Sequence, residues 1–141
     1  MSKDKEKLML LNRHYLNELS QKIYLEYRPE EYHLRGTKGI KGGVYFFVGM
    51  FIVDNELTPL VKIGSTGNIF KRKKQYYTHN PSDLYLIYFY KAFDKKERVE
   101  TERYYREKFK ECRLRDNREW FHLKSVVEEL GLDWKRMNEE Q

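Results

Sequence analysis

The sequence predicts an α+β domain, because strand-like and helix-like segments follow one another in the order β-β-α-β-α behind a separate N-terminal helix. Residues 43–54 and 82–93 are dominated by β-branched and aromatic side chains, as buried strands are. Residues 60–64 are the expected hairpin partner of the first strand, and residues 95–111 have the composition and apolar period of a helix. With 141 residues, the chain is long enough for one domain with a hydrophobic core.

An amphipathic helix is expected over residues 5–24, because apolar side chains recur there at spacings of three and four. These side chains are Leu8, Leu11, Tyr15, Leu19 and Ile23. Residues 28–43 contain one proline and four glycines among charged residues, which predicts a connector. We therefore expect residues 1–36 to form the N-terminal helix and connector, and residues 37–141 to form the domain proper with a C-terminal helix.

The remaining segments predict the turns and the strand order. The hairpin turn is expected at residues 55–59, a second helix from about Asn68, and a short closing helix over residues 125–134. The nearly continuous apolar content of residues 82–93 predicts a strand in the middle of the sheet. Residues 117–123 are expected to be extended or irregular.

The composition is basic and rich in tyrosine. The chain has 28 Lys and Arg against 22 Asp and Glu, a formal net charge of +6, and 12 tyrosines. Such a composition is typical of proteins that contact nucleic-acid phosphates and bases, and a soluble basic protein with tyrosines in its core is the alternative. A single cysteine, Cys112, excludes an intramolecular disulfide and favours a reducing, cytoplasmic location, and no apolar run is long enough to predict a membrane span.

Residues 62–77 combine a glycine turn with five basic side chains at the start of the second helix. Arg72 and Tyr76 lie four positions apart and therefore on one helix face. A guanidinium beside a phenol is suited to binding phosphate, because Arg donates two parallel hydrogen bonds and Tyr can donate or release a proton. Non-specific phosphate contacts are expected from the lysines on the other faces of this helix, which are Lys71, Lys73 and Lys74.

A carboxylate interrupts the apolar stripe of the helix after the third strand. The stripe is traced by Val99, Tyr105 and Phe109, and Glu102 occupies the position between them. A carboxylate on a buried face is unfavourable unless it forms an ion pair or binds a metal. Both a metal site and a structural ion pair are therefore open for Glu102.

The order of these motifs resembles the GIY-YIG nuclease superfamily. "GVY" at residues 43–45 and "KIG" at residues 62–64 stand where that family has its two name-giving motifs, and "IGSTGNIFKR" at 63–72 is similar to its stretch from the second motif to an arginine. "EWFHL" at 119–123 is closer to the subgroup called T5orf172 or Mug113-like. The resemblance covers roughly residues 42–123 and implies a three-stranded antiparallel sheet flanked by helices.

The resemblance also implies roles for individual residues. Tyr45 would position or deprotonate the attacking water, and Arg72 would bind the scissile phosphate. Glu102 would hold one divalent cation, Mg²⁺ or Mn²⁺, and Tyr76 falls at a position of a proton carrier. Lys62 replaces the tyrosine of the second motif, so its contribution would be electrostatic.

The function implied by the resemblance is a metal-dependent DNA endonuclease or nickase. Two alternatives are a nucleic-acid-binding module that has lost turnover and a structural component of a phage or mobile element. DNA is the expected partner, and RNA is the alternative nucleic acid. The N-terminal helix is a candidate surface for a protein partner or for self-association. We expect Tyr45, Lys62, Arg72 and Glu102 to face one common cleft if the domain is an enzyme.

Overall fold

The computed structural model of the chain describes residues 11–26, 42–79, 84–114 and 120–137. Within them it shows an α+β fold with an antiparallel sheet and flanking helices, which confirms the predicted class. The elements are α1 (Arg13–Glu26), β1 (Gly43–Val53), β2 (Glu56–Thr66), α2 (Ile69–His79), β3 (Tyr85–Lys91), α3 (Lys95–Lys108), a 3-10 turn (Lys110–Cys112), β4 (Trp120–His122), α4 (Leu123–Glu129) and α5 (Trp134–Met137).

Over the described ranges the sheet has four strands in the order β3-β1-β2-β4, so the expectation of three strands is wrong. The additional strand β4 has three residues, and its register pairs Lys62 with Trp120. Among the described strands, β3 lies at an edge of the sheet and not in its middle. Its apolar content has a different cause: α1 packs against it, and the Ser20 hydroxyl donates a hydrogen bond of 2.8 Å to the Leu86 carbonyl.

The hairpin between β1 and β2 turns at Asp54 and Asn55, not over the expected residues 55–59. Val53 pairs with Glu56, which leaves a two-residue loop. Asp54 and Asn55 have φ angles of 52° and 66°. Positive φ at both loop residues gives the backbone twist that a two-residue hairpin requires, and Asp and Asn tolerate this conformation well.

The two faces of β1 contribute to two different hydrophobic clusters, because successive side chains of a strand point to opposite faces. Val44, Phe46 and Val48 pack toward the helices that follow β3 in the sequence. Tyr45 and Phe47 pack on the other face with Ile69 of α2, and α1 contributes to both clusters, through Leu16 to the first and Ile23 to the second. All five β1 side chains are nearly inaccessible to solvent.

Helix α1 begins at Arg13, where the sequence predicted a helix from residue 5; residues 5–10 lie outside the described part of the chain. Asn12 caps the helix, because its side-chain oxygen accepts a hydrogen bond of 3.1 Å from the Tyr15 N–H. The buried residues of α1 are Leu16 and Ser20. Tyr15 and Leu19, which belong to the predicted apolar stripe, are only partly buried. This face packs within the same chain, so no described contact supports the expected protein partner.

The connector expected at residues 28–43 lies almost entirely outside the described residues, and the division of the chain at residue 36 stays a prediction. In the parts of the chain that the structure covers, no helix is long and apolar enough to cross a membrane.

Candidate functional site

The phenol of Tyr45 is fixed by strand pairing. Tyr45 and Gly64 are cross-strand partners in β1 and β2, and the Tyr45 ring lies over the glycine. A Cβ atom at position 64 would overlap the Tyr45 hydroxyl and lie 2.6 Å from its Cζ atom. Only glycine therefore leaves room for this ring, whose side chain is 3% exposed.

Arg72 reaches the same phenol from α2. This helix starts directly after β2 and is capped by Asn68, whose side-chain oxygen accepts hydrogen bonds of 3.0 and 3.3 Å from the N–H groups of Phe70 and Lys71. The cap sets the helix phase, and the Arg72 Cζ atom lies 5.8 Å from the centroid of the Tyr45 ring. The predicted Asn68 cap is thus present. The expected pairing of Arg72 with Tyr76 stays a prediction, because the Tyr76 side chain lies outside the described part of the chain.

The Nε atom of Arg72 is enclosed and has no hydrogen-bond acceptor among the described residues. A buried donor without an acceptor costs about 1–3 kcal/mol. An anionic oxygen is the group that satisfies such a donor best, because hydrogen bonds between charged partners are the strong ones. The surroundings of Arg72 therefore fit a phosphate group.

Lys62 lies on the same face of the sheet as Tyr45. It pairs with Phe47 across β1 and β2, and cross-strand partners share a face. Its Nζ atom lies 5.6 Å from the ring of Trp120, which in turn packs on Phe51 at a centroid distance of 4.5 Å. The fourth strand thus holds the Lys62 ammonium over an aromatic ring on the Tyr45 side.

Glu102 belongs to helix α3 and not to the elements that pack around Tyr45. Helix α3 packs on the opposite face of the sheet, where Tyr105 contacts Phe46 at a ring distance of 5.1 Å. The Glu102 carboxylate forms an ion pair of 2.6 Å with Arg106, whose Nη2 atom also donates a hydrogen bond of 2.9 Å to the Ile63 carbonyl. The structural ion pair considered for Glu102 is therefore present, and the helix is tied to β2 one residue before Gly64.

Residues 42–137, more than half of the chain, match the family model described as the T5orf172 domain. The chain belongs to the T5orf172 domain family. The T5orf172 part of the resemblance is thereby confirmed, and the match extends to α5, past the residues on which the resemblance was based. No curated protein and no solved structure matches the chain.

The surroundings of Glu102 in this T5orf172 domain do not fit a divalent cation as they stand. Glu102 opens on a cleft of about 360 Å³ in which four cationic side chains oppose two carboxylates. One carboxylate oxygen is already engaged by Arg106, whereas Mg²⁺ and Mn²⁺ sites are built from oxygen ligands. Among the residues that the structure describes, no three His, Cys, Asp or Glu side chains come together as a metal site.

Two of the three α2 lysines that were expected to contact phosphate are exposed to solvent. Lys71 and Lys74 are exposed, while the Lys73 Nζ atom lies 4.3 Å from the ring of Tyr24 in α1. Tyr76 belongs to α2, but its side chain lies outside the described part of the T5orf172 domain. The contact with Tyr24 could not be foreseen, because it depends on how α1 lies against α2.

Proposed function

We propose that this T5orf172 domain is a GIY-YIG-type endonuclease or nickase that hydrolyses phosphodiester bonds in DNA. The observation that carries the proposal is the Arg72 guanidinium beside the Tyr45 phenol, with an enclosed Nε atom that has no acceptor in the described part of the chain. Membership of a nuclease-associated family supports the same reaction class.

In the proposed reaction, Arg72 binds the scissile phosphate and stabilises the charge that develops on its oxygens. Preorganised donors of this kind contribute strongly in a site that excludes water. Lys62 adds a second positive charge on the same face of the sheet. The Tyr45 hydroxyl orients the attacking water, or its phenolate form accepts the proton of that water, because nearby cations favour the ionised form of a phenol.

No step of the proposed reaction is assigned to a metal ion, and the assay below measures whether one is needed. One Mg²⁺ or Mn²⁺ ion at Glu102 is what the resemblance implies, but Arg106 holds that carboxylate at 2.6 Å. The ion would have to displace an arginine from a cleft that carries excess positive charge.

Two observations favour a second candidate, a nucleic-acid-binding domain without turnover. The Tyr45 side chain is 3% exposed, which limits its access to a water molecule and a phosphate. The carboxylate that the family resemblance assigns to a metal is paired with Arg106. Binding through Arg72 and the lysines of α2 needs neither of these groups.

A plasmid assay separates the two candidates. Wild-type protein is incubated with supercoiled DNA in EDTA, in Mg²⁺ and in Mn²⁺, beside Tyr45→Phe and the matched control Tyr104→Phe, whose side chain is exposed on α3. An endonuclease or nickase converts the plasmid to open circles, loses this activity in Tyr45→Phe and keeps it in the control. Wild-type protein that retards DNA but never nicks it, in any of the three buffers, establishes the binding domain and rejects the enzyme.

A further inference from the structure

A cationic cleft lies on α3 and the segment that follows it. We call it the α3 cleft, and its cationic members are Arg103, Arg106, Lys110 and Arg113. Its other lining side chains are Val99, Glu102 and Glu107. With four positive and two negative side chains, the lining carries a net charge of about +2 at neutral pH.

Two ion pairs account for both carboxylates of the α3 cleft. Glu107 contacts Lys110 at 2.9 Å, and Glu102 contacts Arg106 at 2.6 Å. The exposed guanidinium groups of Arg103 and Arg113 remain as the excess charge. Because exposed ion pairs contribute only about 0–1 kcal/mol, an incoming anion can also compete for Lys110.

Arg106 is the most constrained member of the α3 cleft. Its Nη2 atom contacts both Glu102 and the Ile63 carbonyl, while its Nε atom is enclosed without an acceptor in the described part of the chain. A guanidinium has five donors in a rigid fork that suits phosphate oxygens. Through its ion pair with Arg106, Glu102 therefore fixes the orientation of the guanidinium group.

The α3 cleft lies across β2 from the Arg72 site. Arg106 donates a hydrogen bond to the carbonyl of Ile63, and the next residue of β2 is Gly64. The Tyr45 ring packs on Gly64, and Arg72 contacts this ring. Strand β2 thus lies between two arginines whose enclosed Nε atoms both lack an acceptor among the residues that the structure describes. A nucleic-acid backbone presents a charge at every nucleotide, so one polymer offers separate phosphate groups to the two arginines.

We propose that the α3 cleft binds a second phosphate group of the nucleic-acid backbone, and that Glu102 is a positioning residue for Arg106 and not a metal ligand. The proposal rests on the proposed function only in taking nucleic acid as the source of the phosphate. It does not require that DNA is cleaved at the Arg72 site.

The first experiment tests the cleft without nucleic acid. Inorganic phosphate is titrated into ¹⁵N-labelled full-length protein at constant ionic strength, and the arginine Nε–H signals are followed by NMR. The signals of Arg103, Arg106 and Arg113 are expected to shift, and the Arg106 response should weaken in the double variant Arg103→Ala with Arg113→Ala. The matched control is Lys124→Ala with Lys135→Ala, which removes the same charge from exposed positions on α4 and α5.

The second experiment measures affinity for a labelled DNA duplex at several salt concentrations. Each lost phosphate contact lowers the slope of log K against log salt by about 0.9. The Arg103 and Arg113 double variant is expected to lose up to two contacts, whereas the lysine control keeps the wild-type slope. An Arg72→Ala variant that keeps its response to phosphate in the α3 cleft distinguishes this site from the proposed catalytic one.

Each contrary result overturns a stated part of the proposal. Equal slopes for the arginine and lysine double variants reject a backbone contact in the cleft. A phosphate response without DNA binding assigns the cleft to free phosphate and rejects the nucleic acid. Mn²⁺ added alone is expected to leave the Arg106 signal sharp, and paramagnetic broadening centred on Glu102 and Arg106 would establish a metal ligand instead.

Discussion

Gly64 determines where the Tyr45 phenol can lie. Replacing it by alanine puts a Cβ atom 2.6 Å from the Tyr45 Cζ atom, on a buried face where the ring has no space to move. Overpacking of this kind costs about 1–3 kcal/mol. We therefore expect Gly64→Ala to lower the free energy of unfolding by that amount, as measured by urea denaturation.

The control for this prediction is Gly67→Ala. Gly67 is exposed, and the nearest atom to a Cβ there would be the Arg98 Nη2 atom at 3.4 Å. Its effect on stability should stay within about 0.5 kcal/mol, as for most surface substitutions. Equal stability of the Gly64 and Gly67 variants would contradict the close packing of Tyr45 on β2.

Tyr105 should make the protein sensitive to alkali. Burial, and then a hydrogen bond with Tyr88, raise the pKa of the Tyr105 hydroxyl well above its usual value, which is about 10 in an unfolded chain. The folded state holds this proton more tightly, so the contribution to stability is fully present below pH 10 and is lost as the pH rises through the folded pKa. Thermal unfolding of wild-type protein should therefore show a decline above pH 10 that is smaller in Tyr105→Phe.

Tyr104→Phe serves as the comparison, because Tyr104 neighbours Tyr105 but is 57% exposed. Its pH profile should follow the wild-type profile. A decline above pH 10 that is the same in the Tyr105 and Tyr104 variants would assign the alkaline sensitivity to other groups.

At the scale of elements, the hairpin register depends on its two-residue turn. Asn55 has a φ angle of 66°, in the left-handed region that costs alanine about 1–2 kcal/mol. Asn55→Ala should lower the free energy of unfolding by about that much, while Asn55→Gly should change it by less than about 0.5 kcal/mol. Chemical denaturation checks both, and an alanine variant as stable as the glycine variant would reject the described turn.

The same hairpin shows how far the sequence could predict the fold. The bounds of β1 and the Asn68 cap follow from local signals, namely a β-branched and aromatic run and a side-chain oxygen at a helix start. The turn lies at Asp54 and Asn55 and not over residues 55–59, because Pro59 pairs with Met50 inside the ladder. β4 has only three residues, too few for any periodicity to show.

The candidate site was predictable to the same extent. Tyr45, Lys62 and Arg72 share a face because strand alternation and the short β2–α2 connection dictate it. The side of the sheet on which Glu102 lies depends on how α3 packs, which is a tertiary property. Arg106, four positions later, was nevertheless a visible ion-pair partner for Glu102.

At the scale of the whole molecule, the chain has a net charge of +6, and the lining of the α3 cleft has four cationic and two anionic side chains. Glu102→Gln removes a negative charge from the cleft but keeps an acceptor oxygen for Arg106, so we expect DNA binding to tighten severalfold at low salt. Glu102→Ala removes the acceptor as well, and its affinity should fall below that of the glutamine variant. Fluorescence anisotropy with a labelled duplex measures both.

A contrary result for Glu102 would reopen its assignment to a metal. If affinity is unchanged in Glu102→Gln while Mg²⁺-dependent nicking disappears, the carboxylate serves a cation and not Arg106. Glu128→Gln, at an exposed position of α4, is the matched control for the change in total charge.

The most direct test of the central claim, that Arg72 is the phosphate-binding group of the site, is single-turnover cleavage of a labelled DNA duplex by wild-type protein and Arg72→Ala. Removing one transition-state donor typically costs about 10²-fold or more in rate, while the lysines of α2 and the α3 cleft continue to hold the DNA. We therefore predict a loss of at least about 10²-fold in cleavage rate with a much smaller loss of affinity. Wild-type cleavage rate and wild-type affinity in Arg72→Ala would contradict the account.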